Sequence, residues 1–486
     1  MRGLAAAVAL AGILAGAPPA TAREAVRGIV HVHTDLSTGE FTLEELAATA
    51  DTQGIGALLL AENYLNRVEY GLPPFRALTT VSHEEPSVHG RLHAYLERVA
   101  RIRAQFPRVL ILPGVEVMPH YFWSGSVLAF DLHLHDTQKN LLVYGIEDAG
   151  ALGRLPTAGN RAAGVYSLQS VIDAVPMLLI VPGLVLLLRT RVHRRRLGSA
   201  VVVVRRRAWA PGLLLCLVAV AAAVRGWPFS TDPYSTSRSF GVDPHQALID
   251  HVDRLGGATI WSFPEARDSG EQPVGPVRVS WSTEPYGDDL LRSFRYTAFG
   301  AVYEDTTRVE APGGGWDRLL REYAAGERSR AAWAIGEAGF HDHSAHKQLG
   351  TIETVFVVDA RTEAGVLDAL KRGRMYARQR TPALALDLAA FAVATAEAAA
   401  GLGETVRARA GMPLAVTAGI AASDGGRHEV RVTLIRSGVV VGAWTGMTPL
   451  NVSHHEVSAG APLVFRLDVR GPANTRLLAN PIFVTP

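Results

Sequence analysis

Residues 28–56 read GIVHVHTDLSTGEFTLEELAATADTQGIG, and the order of strand, loop and helix signals in this stretch predicts the fold. The apolar residues before His31 indicate a short buried strand. Side chains alternate between the two faces of a strand, so His31 and His33 are expected to point the same way. Two imidazoles on one face at a strand end are a natural pair of metal ligands.

A helix is predicted directly after this loop. Thr42 and Glu45 have the spacing of a capping box, which marks a helix start, and Gly54 is positioned to end the helix. The apolar face of this helix is Leu43, Leu46, Ala47 and Ala50. Residues 57–61 supply the next strand, so the stretch predicts a strand–helix–strand unit with chemistry at the carboxyl end of the first strand. On these residues alone, the two histidines could equally be ordinary polar residues at a strand edge.

The stretch resembles the opening of the PHP family (polymerase and histidinol phosphatase domains), which begins H-x-H-T-x-x-S-x-G and continues into a capped helix. Further matches follow at family-like intervals: Leu112-Pro113-Gly114-Val115-Glu116-Val117, Gly256-Gly257 before a strand ending in Phe263-Pro264, 339–343 and 368–374. The resemblance covers roughly residues 27–378 apart from an insertion. It implies an α/β fold with a distorted (β/α) TIM-like barrel of PHP type.

The resemblance also implies a metal site. A full site of this family is a trinuclear centre that hydrolyses phosphoesters, with ions that activate water and neutralise phosphate oxygens. The positions that hold one of these ions are His31, His33, Glu116 and His341 in this chain. Imidazole can replace carboxylate as a zinc ligand, so His341 at a family aspartate position remains compatible. Glu62 and His343 also match ligand positions.

This chain departs from the family at several ligand positions. Asn63, Asn140 and Phe263 stand where the family usually has histidine. Phenylalanine cannot bind a metal, and asparagine offers only a neutral carbonyl oxygen. We therefore expect about one divalent ion, zinc or manganese, per chain, in place of three.

Three functional hypotheses remain open at this point. The first is a phosphoesterase with a reduced metal site that acts on a phosphorylated small molecule. The second is a catalytically inactive PHP-derived domain that binds or senses an envelope ligand. The third is a different metal hydrolase, or a structural role in the envelope that uses the C-terminal module. Metal content and turnover distinguish the first two.

Composition and the N-terminus bear on location. The net charge of +2 over 486 residues gives no indication of nucleic-acid binding. The single cysteine, Cys216, excludes an intramolecular disulfide. Residues 1–22 combine Arg2, an apolar run and Ala20-Thr21-Ala22, which together predict a secretory signal peptide. A retained membrane anchor is the alternative, and either would put the His31 domain outside the cytoplasm.

Two apolar runs, 171–188 and 208–224, are each near the lower length limit of a membrane helix. Eight arginines separate them: Arg189, Arg191, Arg194, Arg195, Arg196, Arg205, Arg206 and Arg207. By the positive-inside rule this pattern predicts a transmembrane hairpin with a cytoplasmic loop. The alternative is two buried barrel helices, which would require these arginines to pack beside a core.

These observations divide the chain into five predicted segments. They are a signal peptide (1–22), the first part of the barrel (27–165), a transmembrane hairpin with an arginine-rich cytoplasmic loop (168–226), the second part of the barrel (240–380) and a β-sandwich module (381–486). The module is predicted from short β-rich runs between glycine turns, and its ending, 479–484, is similar to the N-P-I strand that closes such modules after PHP domains. The predicted location is the membrane, with the main domain extracytoplasmic, either periplasmic or on the cell surface.

Overall fold

The computed structural model describes residues 23–304, 307–343 and 348–486, apart from the side chains of 197, 204 and 206. The predicted signal peptide, 1–22, lies outside the described residues. The chain forms two compact units. One contains residues 23–65, 86–155 and the described residues from 236 onward, and the other contains Asn66–Glu85 and Pro156–Ser235.

The first unit is a mixed α/β structure built on two large sheets. One is a six-stranded sheet whose strands, in spatial order, are Trp333–Gly336, Ala298–Val302, Ala258–Trp261, Leu141–Tyr144, Gly114–Val117 and Glu62–Asn63. The other is an eleven-stranded sheet in which Glu24–Val32, Ala57–Leu60 and Leu110–Leu112 are parallel neighbours. Closure of these sheets into one barrel stays a prediction.

Helices of the first unit alternate with these strands. They are Leu43–Gln53, Leu92–Gln105, Ala149–Leu152, Asp243–Arg254, Gly287–Arg292, Gly315–Ala324 and Glu363–Arg372, with short 3₁₀ turns at His89–Arg91, Val127–Ala129 and Pro472–Asn474. The predicted capping box is confirmed, because Thr42 and Glu45 exchange both hydrogen bonds. Gly54 ends this helix with a φ of 66°, a conformation that favours glycine.

The strand Glu24–Val32, here called the histidine strand, lies where the eleven-stranded sheet changes from parallel to antiparallel pairing. It pairs antiparallel with Ile352–Val358 and parallel with Ala57–Leu60. Ile352–Val358 pairs in turn with Met375–Gln379, and the pairing of that strand with Arg476–Ala479 carries the sheet into the C-terminal region.

The C-terminal region is entirely β apart from one turn. Its strands within the eleven-stranded sheet are Thr405–Arg407, Glu429–Arg436, Val439–Met447, Leu463–Arg470, Arg476–Ala479 and Ile482–Thr485. A separate four-stranded sheet contains Ala399–Ala400, Leu386–Ala394, Pro413–Ala422 and Leu450–Val457. Both sheets contribute to one buried apolar cluster, which includes Leu386, Val416, Val432 and Phe465. The short strands between glycine turns are therefore present, and the assignment as a sandwich stays a prediction.

One further sheet of the first unit follows the strand that carries Glu116. Its four strands are Asp268–Val274, Val277–Thr283, Asp131–His135 and Phe122–Ser126. His133 and His135 share a face of it, as alternation predicts. They bond serines there: the His133 ring nitrogens lie 2.7 and 2.8 Å from the hydroxyls of Ser280 and Ser282.

The second unit contains the two apolar segments. The first is built from the helix Leu168–Ala174, the 3₁₀ turn Val175–Leu179 and the helix Ile180–Leu188, and the second is the helix Trp209–Gly226. Pro176 lies in the 3₁₀ turn, where its missing N–H interrupts the α-helical bonding. The unit also has a small hairpin of Arg67–Tyr70 and Val81–Glu84, the helix Arg76–Thr79 and the 3₁₀ turn Arg161–Ala163.

The arginine-rich segment is not the loop that the sequence predicted. Thr190–Leu197 and Ala200–Arg207 form an antiparallel β-hairpin, here called the arginine hairpin. The reason is local: its β-branched valines favour strands, and Gly198 takes a φ of 61° at the first position of a two-residue turn, where glycine is preferred.

Candidate metal centre

Three side-chain atoms converge at the carboxyl end of the histidine strand. His31 Nε2 lies 3.0 Å from His33 Nε2, and these atoms lie 3.5 and 3.4 Å from Glu116 Oε2. Three ligands bound at about 2.0–2.1 Å to one tetrahedral zinc are about 3.3–3.4 Å apart, so the triangle has the size that a single ion requires. Among the described residues, this is the group of histidine, cysteine and carboxylate side chains that could share an ion.

The backbone at His31 departs from a regular strand. His31 has a φ of 72°, and the pairing with Ala57–Leu60 shifts register between Val30 and Val32. Both imidazoles are nevertheless buried and face each other through Nε2. The predicted shared face is thus present, although a bulge and not simple alternation produces it.

Glu337 fixes the proton of His31. Its Oε1 lies 2.7 Å from His31 Nδ1, and because a carboxylate only accepts, Nδ1 must donate. Glu337 also accepts hydrogen bonds from Ser262 Oγ (2.7 Å) and the Phe263 N–H (2.9 Å). With Nδ1 donating to Glu337, Nε2 is the ring atom of His31 that faces His33 and that a metal ion or a second proton can occupy.

His33 is oriented through two further residues. The Ser37 hydroxyl donates to Glu62, so its oxygen is left to accept from His33 Nδ1 at 3.2 Å. Glu62 also accepts from the hydroxyl and backbone N–H of Thr34, at 2.6 and 3.1 Å. The two imidazoles thus direct Nε2 at each other, and two ring nitrogens 3.0 Å apart need a proton or a cation between them.

The electrostatics of the centre agree with this requirement. Burial alone lowers the pKa of His31, but the carboxylates of Glu116 and Glu337 outweigh it and raise the pKa to about 9. Burial alone raises the pKa of Glu116, and His31 and His33 outweigh it and hold that pKa well below its usual range. The pocket thus stabilises positive charge at the point where the three atoms meet.

Of the six predicted ligands, the structure brings three together, namely His31, His33 and Glu116. Glu62 is not in this group, because its oxygens bond Thr34 and Ser37. His341 stacks on His33, with ring centroids 4.0 Å apart, and its Nδ1 lies 3.0 Å from the Thr38 hydroxyl.

His341 and His343 differ in burial. Burial, reinforced by His33 and His31, lowers the pKa of His341 to about 3, so its ring is neutral. His343 is exposed, and the centroid of its ring lies 5.1 Å from the ring centroids of both Phe41 and Phe340.

Two of the three substituted ligand positions, Asn140 and Phe263, contact the centre. Asn140 Nδ2 donates to Glu116 Oε1 at 2.9 Å, while its buried Oδ1 has no hydrogen-bond partner among the described residues. The Phe263 ring stacks on His31, with centroids 5.2 Å apart. Asn63 is buried and directs its amide toward Thr38 and the Pro86 carbonyl, each at 3.4 Å.

Sequence reasoning missed Glu337 and Ser37. Glu337 directly follows the strand Trp333–Gly336, and a carboxylate immediately after a buried strand was the available signal. Gly300 makes room for it, because a Cβ at that position would lie 1.9 Å from Glu337 Oε2. Gly39 has a similar role beside His33, whose carbonyl oxygen would lie 2.4 Å from an added Cβ.

Comparison with known proteins gives similarity at the level of structure only. No protein-family model matches the sequence, and no curated protein is similar to it. One similar solved structure is a two-domain protein from Bacteroides vulgatus described as containing a predicted PHP-like metal-dependent phosphoesterase. It has 10% identity, a TM-score of 0.33 and 92% coverage of both chains.

A second similar structure is described as a metal-dependent phosphoesterase from Bifidobacterium adolescentis, with 10% identity and a TM-score of 0.29. It covers 66% of this chain and 90% of its own. Both descriptions name a metal-dependent phosphoesterase, and the first adds the term PHP-like. At such low TM-scores, conclusions about chemistry rest on the side-chain geometry of the centre.

Proposed function

We propose that this chain is a metal-dependent hydrolase that acts on a phosphoester of a small molecule, with one divalent ion held by His31, His33 and Glu116. The observation that carries the proposal is the buried triangle of His31 Nε2, His33 Nε2 and Glu116 Oε2, whose 3.0–3.5 Å edges fit a single ion. A divalent ion bound there would supply Lewis-acid polarisation of the phosphoryl oxygen and a lowered pKa for water.

The surrounding residues have separable roles. Glu337 and Ser37 hold the two imidazoles in the tautomer that can bind a metal. Asn140 occupies Glu116 Oε1 and thereby leaves Oε2 for the ion. The unpartnered Oδ1 of Asn140 is a hydrogen-bond acceptor beside the centre, available to a water or a substrate hydroxyl.

A catalytically inactive binding or sensing domain is the second candidate. Phe263 favours it, because its ring stacks on His31 where the PHP family usually has a histidine ligand. An apolar ring cannot activate water, and it shields one side of the histidine pair. In this alternative, the ion is structural and its coordination is closed by protein groups.

Metal content and turnover test the proposal. We expect the purified full chain to hold about one zinc or manganese, by elemental analysis, and to hydrolyse at least one member of a phosphoester panel. His33→Ala should abolish both, while His428→Ala, a histidine of the C-terminal region paired with Asp424, should change neither. Finding no metal, or three ions per chain, would refute the proposal, and one ion without any turnover would favour the binding domain.

The membrane part of the proposal rests on the second unit. Leu168–Leu188 and Trp209–Gly226 are helical segments of 21 and 18 residues, with mean hydropathies of 2.5 and 1.8, long and apolar enough to cross a membrane. Their buried positions are largely small residues: Gly183, Gly212, Ala219 and Ala222. Leu184, Leu214 and Leu217 are exposed instead. Small residues inside and large apolar residues outside are typical of helices that pack in lipid.

We extend the proposal to the arrangement of the sheets and to the location of the protein. The two large sheets would together form a distorted barrel of PHP type, followed by a β-sandwich. A secretory signal and a membrane hairpin would keep both parts of the barrel on the extracytoplasmic side, periplasmic or at the cell surface.

A further inference from the structure

The arginine hairpin carries concentrated positive charge, and no carboxylate pairs with those of its arginines whose side chains are described. No aspartate or glutamate occurs between Asp173 and Asp232 in the sequence. The arginines of the segment whose side chains are described are all exposed, namely Arg189, Arg191, Arg194, Arg195, Arg196, Arg205 and Arg207. The described contacts include no ion pair for any of these seven, and the polar contact of the group is Arg207 Nε to Thr190 Oγ1 at 3.3 Å.

Arginines elsewhere in the described chain are commonly paired. Arg374, Arg378 and Arg476 each contact two carboxylates. The unpaired guanidinium groups of the hairpin therefore stand out, and like charges this close repel unless anions come between them. The bidentate geometry of guanidinium matches phosphate particularly well.

The strand register mixes this charge with apolar side chains. Arg194 is opposite Val203, and Arg196 is opposite Val201, so one face of the hairpin carries two arginines beside two valines. Val201 and Val203 are 58% and 53% exposed. A surface that presents guanidinium and aliphatic groups together fits the boundary between headgroups and acyl chains.

The attachment of the hairpin fixes where it would meet lipid. It directly connects the two apolar helices, which pack together where Gly183 and Gly212 meet: an added Cβ on Gly212 would lie 2.9 Å from the Gly183 carbonyl oxygen. If both helices cross the bilayer, the hairpin has to lie at the headgroup level of one leaflet. A free nucleic acid would not explain the exposed valines.

We propose that the arginine hairpin binds the phosphate headgroups of anionic phospholipids in the leaflet where the two apolar helices end. This inference rests on the membrane insertion proposed above and goes beyond it, because it assigns a lipid class and a binding element. In this proposal the hairpin binds lipid at the membrane surface, whereas an arginine-rich loop would only determine the orientation of the helices in the membrane.

The test uses the full chain reconstituted in bilayers that contain spin-labelled phosphatidylglycerol or phosphatidylcholine. The expected result is a motionally restricted lipid component that favours phosphatidylglycerol by at least about fivefold, the effect of one arginine near a charged surface, and that weakens at high salt. A quadruple variant, R191Q, R194Q, R195Q and R196Q, should lower this preference at least about fivefold, while the four arginines that remain keep part of it. The corresponding lysine variant should retain part of it, because charge remains.

A matched control removes the same charge elsewhere. Arg407, Arg409, Arg427 and Arg431 are exposed residues of the C-terminal region, and their replacement by glutamine should leave the lipid preference unchanged. Equal restriction of both lipids by the unmodified protein would overturn the lipid inference while the membrane proposal stood. No restricted component with either lipid would instead overturn the membrane proposal. Binding of duplex RNA that the quadruple variant loses, with an unchanged lipid preference, would assign the hairpin to nucleic acid and overturn the inference.

Discussion

At the scale of single residues, the chemistry of the centre depends on where two imidazole protons lie. Glu337 accepts from His31 Nδ1, and the Glu62–Ser37 pair accepts from His33 Nδ1. Neither carboxylate needs to touch a metal for its loss to matter. Residues that hold a ligand tautomer commonly affect metal affinity by about 10–100-fold.

Glu337→Gln tests this role directly. A glutamine amide can donate to His31 Nδ1, which would move the ring proton to Nε2 and remove its lone pair from the triangle. We expect metal affinity, measured by chelator competition, to fall about 10–100-fold. Glu271→Gln, an exposed carboxylate on the strand Asp268–Val274, is the control. Unchanged affinity in Glu337→Gln would show that His31 does not need this partner.

At the scale of elements, one side-chain amide links a strand from each of the two large sheets, Trp333–Gly336 and Met375–Gln379. The buried Asn480 accepts from the Ala334 N–H at 2.9 Å and donates to the carbonyls of Ala334 and Met375 at 2.9 and 3.0 Å. This gives a structural reason for the N-P-I ending, because the asparagine satisfies backbone groups of the strand whose carboxyl end delivers Glu337.

Asn480→Ala should therefore destabilise the protein. It leaves buried backbone groups of Ala334 and Met375 unpaired, at a cost of about 1–3 kcal/mol for each group. A lower melting temperature by calorimetry is the expected result, and Asn451→Ala, at an exposed position of the strand Leu450–Val457, should have little effect. A melting temperature equal to that of the unmodified protein would contradict this account.

A buried charge cluster ties the histidine strand to its neighbours. Glu353 is fully buried and pairs with Arg27 at 2.6 Å and with Arg378 at 2.5 Å. Burial alone raises the pKa of Glu353, but Arg27 and Arg378 outweigh it, so the pKa is lowered. Because the folded-state pKa lies below the unfolded one, this carboxylate stabilises the fold above the unfolded pKa, and the contribution is lost as the pH falls through the folded value.

Glu353→Gln should remove that contribution and leave the buried Arg378 with one carboxylate partner, Asp387, in place of two. Removing one member of a buried ion pair commonly costs about 3–5 kcal/mol. We expect a lower melting temperature at pH 7 and a smaller loss of stability between pH 7 and acid pH than in the unmodified protein. A variant with the original acid sensitivity would place the pH dependence in other carboxylates.

At the scale of the whole molecule, the prediction concerns topology. Reporter fusions after residues 150 and 300 should be extracytoplasmic, and a fusion after residue 198, in the turn of the arginine hairpin, should be cytoplasmic. The physical basis is the arginine content between the two apolar helices, since positively charged segments resist export. An external reporter at 198, or an internal one at 150 or 300, would rule out this arrangement.

Much of the local structure could be predicted from the sequence, because its signals lie within a few residues of one another. Thr42, Glu45 and Gly54 specify the start and end of a helix through hydrogen bonds and a φ value that depend on near neighbours. The length and apolarity of the two helical segments are likewise direct properties of composition. The identity of His31, His33 and Glu116 as candidate ligands also came from short motifs.

Only the tertiary structure decided which candidates meet and what each one does. Glu337 reaches His31 across 306 positions of sequence, and Glu62, a predicted ligand, instead bonds Thr34 and Ser37. A metal site requires atoms within a few ångströms of one point, and that convergence depends on a bulge at His31 and on strands from distant parts of the chain. Sequence thus determined which chemical groups are available, and packing determined their distances and protons, because no local pattern specifies contacts between remote strands.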